Sequence, residues 1–564
     1  YITRNKKNIL ILLLIISFVI LSMFLDWEIG GETWGYWYFS EIFKNTGEFI
    51  VFDRSPIYVL YLNLFNWIDY PFSTDIEYIF TTSLCSYALF IFSRKFLSLP
   101  VSLIAACVCI PFMQIAEPPV QKLALAFSLF SLLIRFEGNN RKAIITSYAF
   151  LLLAYCFRQT YLLFFMTFLI FDIIHLYNQK KIFNLKIFFP KINSDWPLIL
   201  VITLLIYFTL NQSSSNWNNV WFTDVDWFPS DGKTMKDGGG LQLLNMFYIL
   251  KTYGSYVGHD FYLTNKVAFN NAQDFTTAIL ANPSIFFEMV IFNVTIFIPK
   301  LLHLLFIPQI DNWIFKVFYK VIITLAIFYG SLKFSLQKGV LKIFVGSWVL
   351  LLVLLIARPS ERYFLPAIPI FILASCYYSD VLANILFFKD MKNKYWYVKK
   401  ILYNLSFMII LLFLCFSNID KWKIAINNFN IQLNGNNFEL LANNNFSLKK
   451  SFEQLNNLSN HCTGLMALES LFLASFVNKS INYYSIYEIP PFGNLNNNKN
   501  SYNGLNLNRI NCVFVSTSLE FGIGGGTNSE LRYKNYIKSY TNLLLENGAS
   551  KHVIPNFGTA FVLK

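Results

Sequence analysis

Carboxylate and aromatic side chains are concentrated in one stretch near the start of the chain, residues 26–58. Carboxylates near a membrane surface suit general-base chemistry, and aromatic rings there most often form an interfacial belt. The carboxylates are Asp26, Glu28, Glu32, Glu41, Glu48 and Asp53, and the aromatics include Trp27, Trp34, Tyr36, Trp37 and Tyr38. Lys44 and Arg54 are the only cations of this stretch. The sequence therefore predicts that the chemistry takes place here.

A second group of polar residues stands at the ends of apolar segments or in the loops between them. Guanidinium groups offer forked, permanently charged donors to phosphate oxygens. The group consists of Arg54, Glu117, Arg158, Asp224, Asp226, His259, Arg358 and Arg362. A single charged residue in a loop is usually solvated and has no specific role. The prediction therefore depends on the presence of several such residues in positions of this kind. Together they indicate a substrate that carries phosphate.

The composition excludes an ordinary soluble protein. Of 564 residues, 55% are hydrophobic and 14% charged, whereas a soluble domain carries about 25% charge. The formal net charge of +13 could suggest nucleic acid as a partner. However, the lysines and arginines cluster between apolar segments, as they do in the cytoplasmic loops of membrane proteins. We therefore expect a polytopic membrane protein embedded in a lipid bilayer, with no nucleic-acid partner.

Apolar runs and basic loops predict about eleven spans under the positive-inside rule. The N-terminal basic end lies inside, and a first outer loop covers residues 26–75, with 56–67 along the membrane surface. A long, structureless outer loop is expected at 211–285. Residues 285–307 are expected to be interfacial or re-entrant. The predicted spans are 9–25, 76–93, 100–115, 122–134, 143–157, 160–177, 196–210, 314–332, 341–356, 363–380 and 401–417.

The predicted fold is thus mainly α, a transmembrane helical module over residues 1–417, followed by a soluble α/β domain at 418–564 on the non-cytoplasmic side. Residues 512–518 and 552–564 read as strands, and residues 529–549 read as a helix closed by Gly548. Cys462 and Cys512 could pair if this part faces an oxidising compartment. The GIGGGT run at 522–527 lacks the spacing of a phosphate-binding loop and reads as a flexible loop.

This order of features resembles the GT-C-fold glycosyltransferases that use polyprenyl-phosphate sugars, a group including protein mannosyltransferases and the aminoarabinose transferase of lipid A. In that group an acidic motif follows the first span, and an Arg-Tyr-x-x-Pro-x-x-Pro segment comes later. The corresponding stretches here are GETWGYW at 31–37, NTGEFIVF at 45–52, DRSPIYVLYLNLF at 53–65 and RPSERYFLPAIPIF at 358–371. The family's acidic pair is here the single Glu32.

The resemblance implies an inverting glycosyl transfer at the non-cytoplasmic face, the periplasmic or extracellular side in a bacterium. Glu32 would deprotonate a glycan, lipid or protein acceptor, with Asp26 or Glu28 as alternative bases. Polyprenyl phosphate would leave. The implied substrate-binding residues are Arg362, Arg358, Arg54, Arg158, Tyr36, Tyr58, Glu117 and His259. No cofactor is certain; some relatives use a divalent metal, for which His259 with Asp224 or Asp226 would be the ligands.

Two other functions fit part of the pattern. An O-antigen-type polymerase or ligase also places arginines on the outer side, but in large later loops and without an acidic cluster in the first one. A transporter or flippase of lipid-linked glycans would carry charged residues at mid-membrane depth and internal repeats. Neither of these two features is clear in the sequence.

Overall fold

The computed structural model describes the chain in separate ranges. They are residues 2–23, 36–37, 40, 43–44, 56–68, 72–97, 99, 102–103, 105–107, 109–110, 120–137, 141–178, 203, 226–230, 233–236, 239–253, 261–272, 275–304, 321, 340–356, 364–370, 454, 457–458, 462–467, 482–485, 511–516, 538, 540–554 and 558–563. Within these ranges the chain is mainly helical, as the sequence predicts.

Eleven α-helices, one short 3-10 helix (Gln159–Tyr161) and seven strands have defined bounds within the described ranges. The helices are α1 (Ile2–Ser22), α2 (Pro56–Asn63), α3 (Phe72–Ser93), α4 (Val120–Glu137), α5 (Arg141–Phe157), α6 (Leu162–Asn178), α7 (Gly239–Tyr253), α8 (Phe261–Phe269), α9 (Phe275–Ala281), α10 (Pro283–Leu304) and α11 (Val340–Ile356). The strands are β1 (Asp226–Ser230), β2 (Lys233–Lys236), β3 (Gly464–Ala467), β4 (Asn482–Ser485), β5 (Cys512–Ser516), β6 (Ser550–Ile554) and β7 (Gly558–Val562).

The chain forms two compact units, each made of separate segments. The first comprises Tyr1–Glu28, Ile76–Thr209 and Asn293–Phe438, and the second Ile29–Asp75, Leu210–Phe292 and Glu439–Lys564. The second unit thus contains most of the three longest segments for which the sequence predicts a non-cytoplasmic position, with boundaries shifted by up to about twenty residues, whereas the short outward turns predicted at Glu117, Arg158 and 358–362 belong to the first unit. The predicted division of the chain at residue 417 remains a prediction.

Consecutive helices of the first unit pack antiparallel. Phe127 of α4 contacts both Phe150 and Phe157 of α5, with ring centroids 6.0 and 5.4 Å apart. Farther along α4, the Ser131 and Ser147 hydroxyls form a buried hydrogen bond of 2.8 Å. Small hydroxyl side chains at helix contacts, bonding across them, are typical of helices that pack inside a membrane.

The helix α11 packs closely against α6. A Cβ atom placed on Gly346 would overlap the ring of Phe164, so the absence of a side chain lets the two helices approach. Asn293 of α10 donates a 2.9 Å hydrogen bond to the Leu355 carbonyl of α11. The C-terminal part of α10 thereby joins the first unit.

The outer faces of several helices in the first unit are apolar. In α6 the exposed side chains Leu162, Met166, Ile170, Ile173 and Ile174 recur at helical spacing. In α1 the same holds for a row of aliphatic residues between positions 9 and 14. The interior, by contrast, contains many hydroxyl groups and several charges. Exposed apolar rows on several helices are unusual for a protein surrounded by water, and buried charged residues among them are typical of functional or structural sites in membrane helices.

Among the described residues, one or two helices have the length and apolarity of a membrane span, compared with about eleven predicted. In the part of the chain that the structure describes, the stretch Ser73–Ser93 meets both criteria, and the bent pair Phe275–Ala281 and Pro283–Phe297 meets them together, with an angle of 107° between its two halves. Asn8–Ser22, Lys142–Phe157, Leu162–His175 and Val345–Ile356 are apolar but shorter. Core helices of soluble proteins pass the same test, so about eleven spans remain a proposal. The bend after Ala281 is compatible with the interfacial or re-entrant segment expected at 285–307.

The long segment 211–285 is not structureless, which corrects the sequence prediction. It contains the antiparallel pair β1–β2 and the helices α7, α8 and α9. These helices and the start of α10 share a core, composed of Leu244, Phe269, Ala272, Ala278, Ile285 and Met289. The prediction missed it because short helices separated by Gly and Asn residues show little periodicity.

The C-terminal segment contains a five-stranded sheet with the strand order β4-β3-β5-β7-β6. β3 is parallel to β4 and β5, whereas β7 is antiparallel to β5 and β6. The predicted strands at 512–518 and 552–564 are confirmed as β5 and the β6–β7 pair. Gly548 has a φ of +83° after the last helical residues, as expected for a glycine that ends a helix. An independent α/β domain at 418–564 remains a proposal.

Candidate functional site

Two predicted substrate-binding residues of the first outer loop contact each other in the second unit. The Tyr36 and Tyr58 rings pack edge to face, with centroids 4.7 Å apart. Both residues and the neighbouring Trp37 are buried. An interfacial belt is therefore the wrong interpretation for Tyr36 and Trp37, because their rings pack inside the protein. The contact joins GETWGYW to DRSPIYV, two of the stretches that carry the resemblance.

A hydrogen-bonded connection also links this loop to the end of α2. The Asn66 amide donates to the Ser40 hydroxyl at 3.0 Å, and the Lys44 ammonium donates to the Asn66 carbonyl at 3.1 Å. Ser40 is fully buried. The second half of the acidic stretch is thus connected to the residues that follow α2, within the second unit.

Most of the predicted site residues lie outside the described ranges. These are Asp26, Glu28, Glu32, Arg54, Glu117, Asp224, His259, Arg358 and Arg362, and for Asp226 only the backbone in β1 is described. No cluster of three potential metal ligands occurs among the described residues. The roles assigned to all these residues remain predictions.

Arg158, a predicted phosphate ligand, lies directly after α5. It is partly buried, and its backbone N–H donates to the Ala154 carbonyl at 2.9 Å. Because α4 and α5 are antiparallel, the end of α5 lies near the beginning of α4. The Phe127–Phe157 contact fixes this register. The beginning of α4 carries a second cation, Lys122.

Lys122 is a buried charged residue for which sequence analysis assigned no role. It is only 1% exposed. Its ammonium donates a 3.2 Å hydrogen bond to the Thr82 hydroxyl of α3 and lies 4.1 Å from the centroid of the Tyr78 ring. Ionisable residues inside membrane helices are rare and mark functional sites by default. A lysine within the apolar run at 120–134 was the sequence feature that could have indicated this site. Its partners could not be identified from the sequence, because they are about forty residues away.

The surroundings of Lys122 are polar and closed to solvent. Glu77 is also 1% exposed, and its carboxylate accepts a 2.6 Å hydrogen bond from the Thr81 hydroxyl. Gln121 is buried, and its side-chain nitrogen has no hydrogen-bond partner within the described ranges. The first turn of α4 therefore combines a buried cation with a buried amide donor.

A second charged cluster lies at the opposite end of α4. Arg135 donates to both carboxylate oxygens of Asp172, at 2.6 and 2.7 Å, and the Tyr148 hydroxyl donates to the same carboxylate at 2.7 Å. Lys342 forms a further ion pair with Asp172. The cluster, hereafter the Asp172 clasp, connects α4, α5, α6 and α11. Protein groups contact both carboxylate oxygens of Asp172. A structural role, holding the four helices together, therefore explains the clasp.

The Asp172 clasp joins helix ends that the sequence predicts on the cytoplasmic side of the membrane. Residues 135, 172 and 342 stand where three predicted spans meet the cytoplasm. Lys122 and Arg135 are separated by about 20 Å along α4 at 1.5 Å per residue. Charges therefore lie towards both ends of the helices, with Lys122 and Arg158 at the end predicted to face outward.

No family model matches this chain, and no curated protein matches it significantly.

Proposed function

We propose that this chain is an integral membrane glycosyltransferase that transfers a sugar from a polyprenyl-phosphate donor to an acceptor at the non-cytoplasmic face. The observation that carries the proposal is the grouping of residues 29–75, 210–292 and 439–564 in one compact unit. Loops on one side of a membrane share one compartment, so the grouping supports the predicted topology. That predicted topology assigns the acidic first loop and the outward arginines to the same side of the membrane.

Further observations support the membrane setting and the orientation. The apolar outer faces of α1 and α6 suit a lipid bilayer, as does the burial of Lys122, Glu77 and Asp172. The Cys462–Cys512 disulfide suits an oxidising compartment and so a non-cytoplasmic C-terminal segment. The Tyr36–Tyr58 contact supports the resemblance, since it joins two of its motifs.

A transporter is less well supported. Transporters hold ions and substrates near mid-membrane. Here Glu77 lies five residues into α3, about 8 Å from its start at 1.5 Å per residue. Lys122, Arg135 and Lys342 likewise lie within the first or last turn of their helices.

The proposed chemistry follows the resemblance. Glu32 removes the proton from the acceptor hydroxyl, and the oxygen attacks the anomeric carbon from the face opposite the phosphate. The bond between that carbon and the phosphate oxygen breaks, and polyprenyl phosphate departs with the electron pair. Arg362 and the other outward arginines hold the leaving phosphate, which needs no second carboxylic acid because it is already a good leaving group.

The test uses the full chain in proteoliposomes with a panel of radiolabelled polyprenyl-phosphate sugars and crude acceptor lipid and glycan. Release of polyprenyl phosphate is measured for the wild type, Glu32→Gln and Arg362→Ala. The matched controls are Glu546→Gln and Arg94→Ala, two exposed residues. We expect a loss of at least about hundredfold for Glu32→Gln, the low end for a general base, and no change in the controls. Turnover that survives Glu32→Gln would transfer the base role to Asp26 or Glu28, whereas solute or lipid flux without transfer would contradict the proposal.

A further inference from the structure

The beginning of α4 combines several features that favour an anion. The first four backbone N–H groups of any helix lack intrahelical acceptors, and the helix dipole is positive at this end. α4 is 18 residues long, so its dipole is fully developed at Val120. Helix N-termini of this kind bind phosphate groups in many proteins. A helix end alone, however, does not identify a site.

Two side chains in the first turn of α4 supply independent indications. Gln121 is 4% exposed, and within the described part of the chain its side-chain nitrogen has no hydrogen-bond acceptor. A buried amide donor without an acceptor costs free energy of about 1–3 kcal/mol, which a bound acceptor would recover. Lys122, next in sequence, places a buried ammonium at the same turn. Both groups are hydrogen-bond donors, and one bound anion accepts from both.

We infer that the first turn of α4 binds a phosphate ester, with Lys122 as the ionic partner and Gln121 as a neutral donor. The inference rests on the proposed function, for which it specifies where the phosphate of the lipid-linked donor is held. Arg158, at the adjacent end of α5, supplies a further cation. Neither Gln121 nor Lys122 belongs to the motifs that carry the resemblance.

Phosphate-ester chemistry fits this position better than a carboxylate ligand does. A phosphate monoester or diester offers several oxygens, so it can accept from the Lys122 ammonium, the Gln121 amide and the α4 backbone together. The Glu77 carboxylate nearby already accepts a hydrogen bond from Thr81. A structural alternative is that Lys122 only links α4 to Thr82 and Tyr78 of α3. The two interpretations predict different results when the ammonium is removed. Ligand affinity falls if Lys122 binds the phosphate, and it stays unchanged if the role of Lys122 is structural.

The test measures equilibrium binding to the full chain in nanodiscs, without sugar and without turnover. The probes are a short-chain polyprenyl phosphate, the uncharged polyprenol of the same length, and inorganic phosphate. The variants are Lys122→Met, which retains length and apolar volume, Lys122→Arg, which retains charge, and Gln121→Met. Lys142→Met, an exposed lysine on α5, is the matched control.

We expect Lys122→Met to weaken polyprenyl phosphate binding at least tenfold, about the effect of one lost charge-assisted hydrogen bond. Gln121→Met should weaken it about threefold, as expected for one neutral hydrogen bond. Lys122→Arg and Lys142→Met should bind like the wild type, and polyprenol should bind weakly to all. Lysine-dependent binding of inorganic phosphate without binding of the lipid would support the phosphate site and assign it to a soluble ester.

Wild-type affinity in Lys122→Met would overturn the inference, and so would equal binding of polyprenol and polyprenyl phosphate. A lower melting temperature with unchanged affinity would make Lys122 a structural cation. If Lys122→Met does not fold, Gln121→Met decides, because it leaves the charge in place. Since the assay needs no transfer, loss of phosphate binding and loss of transferase activity can be distinguished.

Discussion

Asp172 illustrates how a single carboxylate can connect four helices inside the bundle. It accepts hydrogen bonds from Arg135 and Tyr148 and pairs with Lys342. We expect Asp172→Asn to lower the free energy of unfolding by up to about 3–5 kcal/mol, because it leaves two partly buried cations without a counter-charge. Unfolding of the purified protein in mixed micelles, followed by circular dichroism, measures this change.

The ion pair between Lys251 and Glu288 provides the matched control for the Asp172 clasp. Its side chains are 47% and 43% exposed, compared with 13% and 6% for Arg135 and Asp172. Glu288→Gln should therefore change the free energy of unfolding by less than about 1 kcal/mol, as exposed pairs generally do. Equal small changes for the two substitutions would contradict the burial of the clasp.

At the scale of helices, the approach of α6 and α11 depends on the missing side chain of Gly346. We expect Gly346→Ala to destabilise the protein by about 1–3 kcal/mol, the usual cost of overpacking, because the new Cβ overlaps the Phe164 ring. Phe164→Leu should lower the free energy of unfolding less in the Gly346→Ala variant than in the wild type. A double-mutant cycle on unfolding free energies measures this coupling; strictly additive effects would show that the two residues do not meet.

The disulfide connects Cys462, two residues before β3, to the first residue of β5 and spans a sequence separation of 50 residues. Peptide mapping without reductant should recover the Cys462 and Cys512 peptides joined. Cys462→Ser should lower the stability of the C-terminal segment by up to about 4 kcal/mol, the chain-entropy value for a loop of this length. Limited proteolysis of this segment with and without reductant measures the effect. Alkylation of both cysteines in the unreduced protein would contradict the pairing.

The sequence predicted elements where one periodicity continues over many residues. The apolar runs at 76–93, 143–157 and 160–177 correspond to α3, α5 and α6, and Gly548 was identified as a cap because only glycine readily adopts its positive φ. The clasp and the Lys122 environment could not be predicted, because their partners lie 24 to 170 residues apart. The burial of Tyr36, predicted either to bind substrate or to form an interfacial belt, was not foreseen, since local sequence does not report burial. The core around Leu244 was missed because its helices are short.

For the whole molecule, the arrangement of charge and apolar surface determines which solvent each part suits. The first unit buries Lys122 and Asp172 yet exposes Ile9, Leu13 and Ile170. Exposed aliphatic rows on several helices would promote aggregation in water, whereas hydrocarbon removes that penalty. The second unit contains the disulfide and the sheet. Under the proposed function, the first unit lies mainly in the bilayer and the second mainly on its non-cytoplasmic, oxidising side.

The proposed placement of the two units predicts the side of the membrane on which exposed lysines lie. Lys44 and Lys551 belong to the second unit, and Lys95 and Lys142 to the first, at helix ends predicted in the cytoplasm. Each is replaced singly by Cys and treated with a membrane-impermeant maleimide in spheroplasts of the expression host. Lys44→Cys and Lys551→Cys should react at once, because their side chains face the external solution. Lys95→Cys and Lys142→Cys should react only after permeabilisation.

The native cysteines leave a low background in this experiment. Four of them, Cys85, Cys107, Cys109 and Cys156, are buried, and Cys462 is paired with Cys512; Cys376 and Cys415, outside the described ranges, are replaced by Ala. Labelling of Lys142→Cys but not of Lys551→Cys in intact spheroplasts would mean that the chain is inserted with the opposite orientation. Recovery of all four variants in the soluble fraction would contradict membrane insertion itself. The expected pattern would place the acidic first loop on the side where the proposed lipid-linked donor is consumed.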